Sequence, residues 1–518
     1  MIKVALVHYH LRPGGVSRVL ENTLAALHSG TRCRAVVLCG ESPVDAPWVR
    51  QVPGLGYLEQ PGPLRAGALA QDLVRAAEET LGGTPSVWHV HNPNLGKNVL
   101  LPRTLELLAQ SGQRLLLHMH DFAEDGRPRN HALLRNRGPR FPQGVGVHYA
   151  AVNRRDAALL QQAGIPAHRI HYLPNPVHLP FRLPPPDERR RSHTRKQLWF
   201  YPTRGIRRKN LGETVLLGLL GGAQLAIATS RGPGNPSPEN GSQAWGRAAR
   251  TWAPNVRFAV SGRLAAPSPF PQQVYPDPCS FEAWLSAADA ILTTSVAEGF
   301  GLAFLESSLL GLPLVGRDLP AVTRDFAASG IRAPLLYERL DVPLSWIGER
   351  TLRQRIGALI RDTFRAYQID PPPAAFEEAW AAMIPRGAVD FGNLPEDLQE
   401  SIIERAAAEP LTGTLGSLRI RISESGDEVA LGDWIAARLS ESPDASLASQ
   451  REIVERNFGL AAFAERLEAA YTALLQDEII PCSSACSEDV ERNVLRALLQ
   501  PRHLHFLRSG LSHHRSRR

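Results

Sequence analysis

The 518-residue sequence predicts an α/β protein of two doubly wound units, each with a parallel sheet covered by helices on both faces. Short apolar, β-branched runs alternate with stretches of helical spacing, which is the pattern of βαβ units rather than of hairpins. The alternation stops at a proline- and charge-rich break, FRLPPPDERRRSHTRKQ (181–197), and then starts again. The length is also too great for one ordinary core and favours two or more domains.

The first predicted unit covers residues 1–180. It opens with the apolar run IKVALVH (2–8), the glycine turn LRPGG and a helical stretch that follows the turn. Its further predicted strands are RAVVLCG (34–40), SVWHVHN (86–92), RLLLHMHDF (114–122) and GVHYAAVN (146–153). Apolar residues at helical spacing over 64–80 and 104–112 predict helices between these strands.

The second predicted unit covers residues 198–336 and repeats the alternation after the linker at 181–197. Its predicted strands are LWFYP (198–202), QLAIATS (224–230), VRFAV (256–260), AILTTS (290–295) and PLVG (313–316). Its clearest predicted helices are NLGETVLLGLL (210–220), FEAWLSAAD (281–289) and GLAFLESSLLG (301–311). Each of these helices directly precedes or follows a strand, as a doubly wound sheet requires.

The remaining sequence has a different character. Charged amphipathic segments dominate 337–450 and predict a mainly helical insertion or subdomain, and 451–475 predicts one amphipathic helix with a kink at Gly459. The last predicted region is a basic C-terminal tail at 476–518, with five arginines and no acid in its final 17 residues. We expect residues 502–518 of that tail to be frayed and solvated; contact with a membrane surface or nucleic acid is the alternative.

Composition narrows the class of protein. A hydrophobic fraction of 43% and a charged fraction of 21% are those of a globular protein rather than of a disordered one. The formal net charge of +7 suits an anionic ligand without identifying it. Five cysteines, with only Cys482 and Cys486 closely spaced, favour neither a disulfide framework nor a zinc site, so we expect the cytoplasm. No run approaches the roughly 20 apolar residues of a membrane span.

The segment AEGFGLAFLE (297–306) lies between a predicted strand and a predicted helix, at the edge where open parallel sheets bind ligands. Its glycines let the backbone approach a ligand closely, and the first amides of the helix favour an anion such as phosphate. Glu298 precedes the helix and can accept hydrogen bonds from hydroxyls, and Glu306 lies about one and a half turns into it. The pattern therefore predicts a ligand with both hydroxyl and phosphate groups. The alternative is that Glu298 only stabilises the dipole of the helix that follows it, and that Glu306 is a solvated glutamate.

A basic turn, FYPTRGIRRKNLGE (200–213), follows another predicted strand of the same sheet and opens a helix. It crowds Arg204, Arg207, Arg208 and Lys209 into six residues. Like charges at this density are costly unless an anion neutralises them, and a diphosphate would do so. The alternative is a solvated basic turn.

Three His-x-His pairs end strands of the first unit: His8 with His10, His89 with His91, and His118 with His120. Residues two apart point to the same face of a strand, so up to six imidazoles are expected at one edge. Three interpretations stay open at this stage. The pairs satisfy local hydrogen bonds, bind a metal such as zinc, copper or iron, or recognise a sugar and an acceptor.

The basic turn with its R-x4-K spacing, the E-x7-E segment containing EGFG and the two Rossmann-like units together resemble the retaining GT-B glycosyltransferases of family 4. The resemblance covers residues 1–330 and the 451–475 helix, and its most specific part is SVAEGFGLAFLESSLLGLPLVG. It implies a GT-B fold in which the two domains face a cleft. It also implies that the second unit binds a nucleotide sugar, and that no metal or other cofactor is needed.

The resemblance assigns roles to particular residues. Glu306 would hold the ribose hydroxyls, Glu298 and the backbone of Phe300 and Gly301 the sugar, and Arg204 and Lys209 the diphosphate, helped by the amides of Leu302 and Ala303. In the first unit, the turn at Gly14 and Gly15 would lie at the mouth of the cleft on the donor side, and His120, which precedes Asp121, would contact the donor sugar. His118 is the second choice for that contact. The acceptor-side residues are expected to be His91, Asn92, Asn94, His118 and Asp121, and Lys97 could also contact an acceptor.

The sequence thus predicts a retaining glycosyltransferase that moves a sugar from a nucleotide diphosphate to an unknown hydroxyl acceptor. No nucleic-acid partner is expected, and peripheral membrane contact is an open alternative. A dinucleotide-dependent oxidoreductase fits poorly, because LRPGGVSRV lacks the G-x-G-x-x-G spacing although Glu41 ends the second strand. A non-catalytic nucleotide- or glycan-binding protein on the same scaffold is the second alternative.

Overall fold

The computed structural model describes residues 1–12, 14–30, 33–179, 181–183, 196–230, 241–260, 281–408, 416–440, 447–477 and 485–510. The chain forms two compact units. Unit 1 comprises Met1–His178, Thr363–Asp370 and Glu455–Gln500, and unit 2 comprises Leu179–Asp362, Pro371–Val454 and Pro501–Arg518. Most of the predicted linker, residues 184–195, lies outside what the structure describes, as do Cys482 and the side chain of Cys486.

Unit 1 is built on a sheet with the strand order β3-β2-β1-β4-β5-β6-β7, and every pairing in it is parallel. Its strands are β1 (Ile2–His10), β2 (Cys33–Glu41), β3 (Val49–Gln51), β4 (Val87–His91), β5 (Leu115–Met119), β6 (Val147–Ala151) and β7 (Ile170–Tyr172). Its first helices are α1 (Gly15–Gly30), α2 (Ala66–Leu81), α3 (Leu101–Gln110), α4 (Pro128–Leu133) and α5 (Arg154–Gln162).

Two layers of buried apolar side chains cover the two faces of this sheet. One layer includes Leu73, Trp88 and Leu105, and the other includes Leu20 and Leu24 of α1. The strands read as nearly continuous apolar runs because both of their faces are covered, which is the signature of a buried parallel sheet.

Unit 2 is built on a larger, mixed sheet. Its strands are β8 (Gln197–Tyr201), β9 (Leu225–Thr229), β10 (Val256–Arg257), β11 (Ala290–Thr293), β12 (Leu314–Arg317), β13 (Leu336–Pro343), β14 (Ala388–Asp390), β15 (Arg419–Ile422) and β16 (Glu428–Ala430). Its helices up to the end of the parallel core are α6 (Leu211–Gly221), α7 (Gly241–Trp252), α8 (Phe281–Ala287), α9 (Leu302–Leu310) and α10 (Pro320–Ala328).

The described strands of this sheet follow the order β10-β9-β8-β11-β12-β13-β15-β16. The pairs from β10 to β13 are parallel, whereas β14, β15 and β16 join in antiparallel pairs. In both sheets the strand order reverses once in the centre, between β1 and β4 and between β8 and β11. Both units are therefore doubly wound and Rossmann-like, as the sequence predicts.

The region 337–450 is largely helical, but it also contains strands that the sequence analysis did not predict. Its helices are α11 (Leu344–Ile347), α12 (Glu349–Tyr367), α13 (Ala375–Met383), α14 (Glu396–Ala408), α15 (Leu431–Ser440) and the start of α16 (Leu447–Phe458). Strands β14 to β16 extend the sheet of unit 2 instead of forming a separate subdomain. Their charged, alternating sequences, such as RIRI in β15, lack the apolar run of a fully covered strand.

The predicted single helix at 451–475 is two helices, α16 and α17 (Leu460–Gln476), which are separated by Gly459. A Cβ atom at Gly459 would lie 2.3 Å from the carbonyl oxygen of Glu455, so the break needs a glycine. Helix α17 belongs to unit 1, where Phe463, Leu467 and Tyr471 join the layer that contains α1.

The region predicted as a basic C-terminal tail contains a helix, and the expectation that residues 502–518 are frayed is wrong for their described part, 502–510. Helix α18 (Ala485–Leu498) buries Val490 and Val494 in the apolar layer of unit 1. Beyond it, Leu504 and Phe506 are buried in unit 2. These apolar residues are hidden among arginines and histidines in the sequence, and residues 511–518 lie outside the described chain. In the part that the structure describes, no helix is both long and apolar enough to cross a bilayer.

Candidate functional site

The site in unit 2 lies at the point where its strand order reverses. Strands β8 and β11 are neighbours and run parallel, so the loops after both leave the same edge of the sheet. The basic turn follows β8, and the AEGFG segment follows β11. Crevices at such reversal points are where open α/β sheets bind ligands.

The basic turn is fixed to the end of β11 by hydrogen bonds to its backbone. Thr294 Oγ1 donates to the carbonyl oxygen of Lys209 at 2.9 Å, and the Tyr201 hydroxyl donates to the same oxygen at 3.2 Å. Asn210 follows in the left-handed conformation, with φ of 51°, and α6 begins directly after it. The position of Lys209 is therefore set by the two central strands rather than by a free loop.

Lys209 and Glu298 meet across this reversal point. Lys209 Nζ donates to one carboxylate oxygen of Glu298, and Arg208 Nη1 lies 3.6 Å from the other. Burial alone would raise the pKa of Glu298, but Lys209 and Arg208 hold that pKa below its usual value. The carboxylate is therefore ionised at neutral pH and orients the lysine.

Positive charge exceeds negative charge around this pair. Burial lowers the pKa of Lys209; Glu298 opposes the shift, while Arg208 and Arg204 add to it. The side chain of Arg204 is exposed, and the structure does not place it in the ion pair. In the described part of these two loops, Arg208 and Lys209 share the carboxylate of Glu298, and Arg204 adds positive charge nearby, so an incoming anion would relieve repulsion.

Helix α9 starts beside this group with an open N-terminus. Gly301 precedes it with φ of 79°, and no side chain of the described residues caps this end. A Cβ at Gly301 would lie 2.9 Å from a ring carbon of Phe304, so both the conformation and the space require glycine. The amides of Leu302 and Ala303 are thus available to an anion.

The other predicted residues of this segment lie on or next to α9. Phe300 is buried and packs edge-on against Phe326, with ring centroids 5.4 Å apart. Glu306 is half-buried in the second turn of α9. The structure thus brings Lys209 and Glu298 into contact and places Phe300, Gly301 and Glu306 along the same loop and helix.

A buried ionic network, which the sequence analysis missed, supports the start of α6. Arg317 donates to Glu213 at 2.6 Å and to Asp390 at 2.8 Å, and the Tyr337 hydroxyl donates to Glu213 at 2.7 Å. The side chains of Arg317 and Glu213 are 3% and 0% exposed. Because Glu213 lies in the first turn of α6, this network holds the helix that follows the basic turn. No local sequence pattern links residues so far apart in the chain.

In unit 1, the histidine pairs meet at the corresponding edge of the sheet, at the ends of β1, β4 and β5. The buried members are His8, His89, His91, His118 and His120. Neighbouring rings are in contact: His91 and His120 are stacked with centroids 5.2 Å apart, and His89 and His91 with centroids 4.4 Å apart. The expectation that these pairs share one edge is therefore correct.

One chain of hydrogen bonds runs through two of these rings. Tyr471 on α17 contacts His89 Nδ1 at 2.9 Å, His89 Nε2 contacts His118 Nδ1 at 3.1 Å, and His118 Nε2 contacts the Leu173 carbonyl oxygen at 3.1 Å. The carbonyl can only accept, so His118 must donate from Nε2 and accept at Nδ1. It follows that His89 donates to His118 and that Tyr471 donates to His89. Both histidines are then neutral and fully hydrogen-bonded.

The remaining rings leave polar atoms without partners. His91 Nδ1 and His120 Nε2 are 2.9 Å apart, but His91 Nε2 and His8 Nδ1 are buried without a hydrogen bond in the described structure. Both polar side-chain atoms of Asn94 are likewise buried without a hydrogen bond to a described residue. These atoms are the ones in this cluster that could bind a polar ligand.

The same cluster contains a candidate metal group. Ligand atoms of His89, His91 and His118 lie within 4.8 Å of one another. However, both nitrogens of His89 and His118 already take part in the hydrogen-bond chain from Tyr471 to Leu173. A metal would have to displace those bonds, so the geometry favours the hydrogen-bonded arrangement.

The other predicted residues of unit 1 have structural tasks at the same edge. The Asn92 side chain accepts from the amides of His120 and Asp121, both at 3.1 Å, and its backbone has a positive φ of 54°. Asp121 accepts from Arg127 at 2.8 Å. Gly14 and Gly15 lie just before and at the start of α1, and a Cβ at Gly15 would meet no atom within 4 Å. Space alone therefore does not require glycine at position 15.

The chain is similar in sequence or in fold to proteins named as glycosyltransferases or as synthases. Residues 13–180 match the family model described as Glycosyltransferase Family 4. A mannosylglucosyl-3-phosphoglycerate synthase of Petrotoga mobilis is 25% identical over 373 residues, which is 67% of this chain and 70% of that protein. Among solved structures, HepE of Anabaena in complex with UDP-glucose has a TM-score of 0.48 at 13% identity, covering 91% of this chain and 100% of HepE. Sucrose-phosphate synthase of Thermosynechococcus elongatus has a TM-score of 0.47 at 16% identity, covering 92% and 99% of the two chains.

Two Rossmann-like units, a cationic reversal point in the second of them and these sequence matches define the chain as a glycosyltransferase. The match to the Glycosyltransferase Family 4 model covers residues 13–180, almost wholly in unit 1, and agrees with the resemblance drawn from the sequence. Among the residues that touch the predicted site, sequence reasoning missed Tyr471 and Arg317. Neither carries a local motif, because their partners lie in other elements of the chain.

Proposed function

We propose that this chain transfers a sugar from a nucleotide diphosphate sugar to a hydroxyl acceptor, with retention of configuration and without a metal ion. The observation that carries the proposal is the Lys209–Glu298 pair beside the uncapped start of α9. The pair and the helix start together place a cation, a carboxylate and free backbone amides where the strand order of the parallel sheet reverses. A diphosphate with an attached sugar has groups that complement all three.

Each predicted residue of unit 2 has a part in this scheme. Lys209 and Arg204, with the amides at the start of α9, would neutralise the charge that develops on the leaving diphosphate. Glu298, held ionised by its cations, would accept hydrogen bonds from the sugar hydroxyls. Glu306, in the second turn of α9, would accept from the ribose hydroxyls. Two cations and a helix end would thus supply the charge stabilisation that a metal gives elsewhere.

We assign no side chain of this chain as a general base. In the proposed reaction, the leaving diphosphate takes part in deprotonating the acceptor hydroxyl on the same face of the sugar. The protein supplies positioning and electrostatic stabilisation, which account for most of the acceleration in such sites. For His120 we propose a contact with the donor sugar; its ring is neutral, because burial lowers its pKa well below the usual value.

The relative from Petrotoga mobilis narrows the substrates to test first. Its name describes the synthesis of mannosylglucosyl-3-phosphoglycerate, a glycosylated phosphate ester. We therefore propose hexose donors and include GDP and UDP sugars in the assays below. ADP sugars suit the same residues and are part of the same panel.

Calorimetric titration of UDP, GDP and ADP with a chelator present tests the donor site. We expect one nucleotide to bind the wild type, and both Glu306→Ala and Lys209→Met to weaken that binding roughly tenfold or more, the size of a charge-assisted hydrogen bond. Lys196→Met is a matched control, since Lys196 precedes β8 and Lys209 follows it. Glu404→Ala, at an exposed position on α14, is the control for Glu306.

Binding that survives in both site variants, or binding that appears only when a divalent metal replaces the chelator, would contradict this proposal. The stereochemistry needs a separate measurement. With the donor identified, proton NMR of the first product formed should show the anomeric configuration of the donor sugar. The opposite configuration would refute retention while leaving the donor site intact.

A further inference from the structure

The acceptor side of unit 1 carries a lysine whose surroundings indicate the charge of its ligand. Lys97 lies in the loop after β4, which leaves the same sheet edge as the histidine cluster. This loop is held firmly: the amide of Leu58 donates to the Lys97 carbonyl oxygen at 2.8 Å, and the amide of Val99 donates to Leu58 at 3.0 Å. Asn98 Nδ2 adds two bonds of 2.7 Å to the carbonyl oxygens of Gly54 and Gly56. The lysine is therefore presented by a preorganised backbone.

The charged side chains around Lys97 are paired with one another. Arg127 pairs with Asp121 at 2.8 Å, and Arg129 pairs with Glu59 at 2.7 Å. Lys97 itself forms no ion pair with any described residue, although it is half-buried. Burial lowers its pKa, Arg127 and Arg129 lower it further, and Glu59 and Asp121 only partly oppose the shift. The free protein thus holds a cation that lacks a counter-charge.

Polar and aromatic groups continue from Lys97 towards the histidine cluster. Its ammonium group lies 5.1 Å from the ring centroid of Tyr57, and the Tyr57 hydroxyl is 3.0 Å from His10 Nε2. His10 in turn contacts His8, with ring centroids 5.5 Å apart. The Tyr57 side chain is 48% exposed, so this strip is open to a ligand. It combines one point charge, two hydrogen-bonding groups and an aromatic face.

We propose that Lys97, Tyr57 and His10 form an anion subsite for the acceptor, and that the acceptor is a small hydroxyl compound carrying a phosphate or carboxylate group. The inference rests on the proposed glycosyl transfer, and it specifies the substrate class of that reaction. An anion at Lys97 supplies the missing counter-charge and removes the repulsion from the two arginines. A lysine ammonium on a fixed backbone is suited to a phosphate as a point charge. His10 Nδ1 accepts from the Arg12 amide, so His10 Nε2 donates to the Tyr57 oxygen and leaves the Tyr57 hydroxyl to donate to the anion.

Ligand-observed proton NMR with glycerol 3-phosphate as the probe, and glycerol as its neutral counterpart, tests the subsite. We expect the wild type to bind glycerol 3-phosphate but not glycerol, and Lys97→Met to weaken that binding roughly tenfold to a hundredfold. Lys97→Arg should keep most of the affinity, because it keeps the charge. Lys3→Met is the matched control, since Lys3 is at the opposite, amino end of β1.

Two further arms separate the possible failures. Nucleotide titration of the same Lys97→Met sample should match the wild type, which shows that the variant is folded and that the donor site is independent. Wild-type protein that binds no nucleotide would overturn the proposed function, whatever the phosphate result. Equal glycerol 3-phosphate binding by wild type and Lys97→Met would overturn the subsite alone. Binding only to phosphatidylglycerol vesicles, and not to glycerol 3-phosphate, would also overturn it, in favour of a lipid surface.

Discussion

Acid should destabilise unit 1 much more than unit 2, because of the buried histidine cluster. Burial lowers the pKa of His8 to about 3 and that of His118 to about 4. The pKa values of His89, His91 and His120 also lie well below the usual value, for the same reason. A histidine with a lowered folded-state pKa stays neutral in the fold, while the unfolded chain takes up a proton below about pH 6.5. The stability it contributes is present above that pH and is lost as the pH falls towards the folded pKa.

The size of the effect follows from the number of such groups. At pH 5.5, one unit below the unfolded pKa, each histidine that stays neutral costs about 1.4 kcal/mol of unfolding free energy. The five described members of the cluster together cost about 7 kcal/mol, which is comparable to the whole stability of a typical domain. Unit 2 contains His505, whose pKa burial lowers to about 3. His505 should therefore lower the unfolding free energy of unit 2 by about one-fifth of what the five-histidine cluster costs unit 1.

Hydrogen exchange with mass spectrometry, corrected for intrinsic rates, measures both units in one sample. Between pH 7.5 and 5.5, peptides from β4 and β5 should lose several kcal/mol of protection, while those from β8 and β11 lose about 1.4. His8→Gln should lower the pH dependence of the unfolding free energy of unit 1 by about one bound proton. His28→Gln, at an exposed position on α1, should leave that pH dependence unchanged. Equal losses in the two units would refute the idea that the cluster is neutral and buried.

Three other predictions concern positions that the structure marks as constrained. Arg317→Met leaves its two carboxylate partners buried without a cation; it should cost about 3–5 kcal/mol, measured as faster hydrogen exchange in α6 with unit 1 unaffected. Exchange that changes less than about tenfold would show that the network contributes little. Tyr471→Phe removes the donor to His89 and should cost unit 1 about 1–3 kcal/mol by the same measurement; no change would contradict the proton positions derived above. Gly301→Ala should weaken nucleotide binding more than Gly222→Ala, because both positions have positive φ but only Gly301 lacks space for a Cβ.

The parts of the fold that were predictable are those whose sequence reports their surroundings directly. Strands covered on both faces give apolar runs, so β4, β8 and β11 are recognisable with their following loops. Strands β15 and β16, at one end of the sheet, escaped prediction because their exposed positions carry arginine and glutamate, which dilute the apolar signal. The break between α16 and α17 was visible as a glycine, but its necessity depends on a close approach that only coordinates show.

The candidate sites divide in the same way. Residues two apart in a strand point to the same face, and neighbouring parallel strands end at the same edge. The meeting of His91, His118 and His120 could therefore be expected. The ion pair of Lys209 and Glu298 depends on two loops leaving neighbouring strands, which follows from strand order and not from sequence spacing. Long-range partners have no local signature at all. The roles assigned to the individual site residues stay predictions until the titrations above are done.

Unit 1 is assembled from the two ends of the chain. Its layer around α1 is completed by Phe463, Leu467 and Tyr471, and the bond from Tyr471 to His89 spans 382 residues. During synthesis, the first 178 residues therefore emerge long before the segment that covers them. Their apolar surface stays open while most of unit 2 is translated, and premature termination before α17 would release a chain that cannot bury it. The apolar layer of unit 1 can therefore be completed only after the chain has been translated through at least Tyr471.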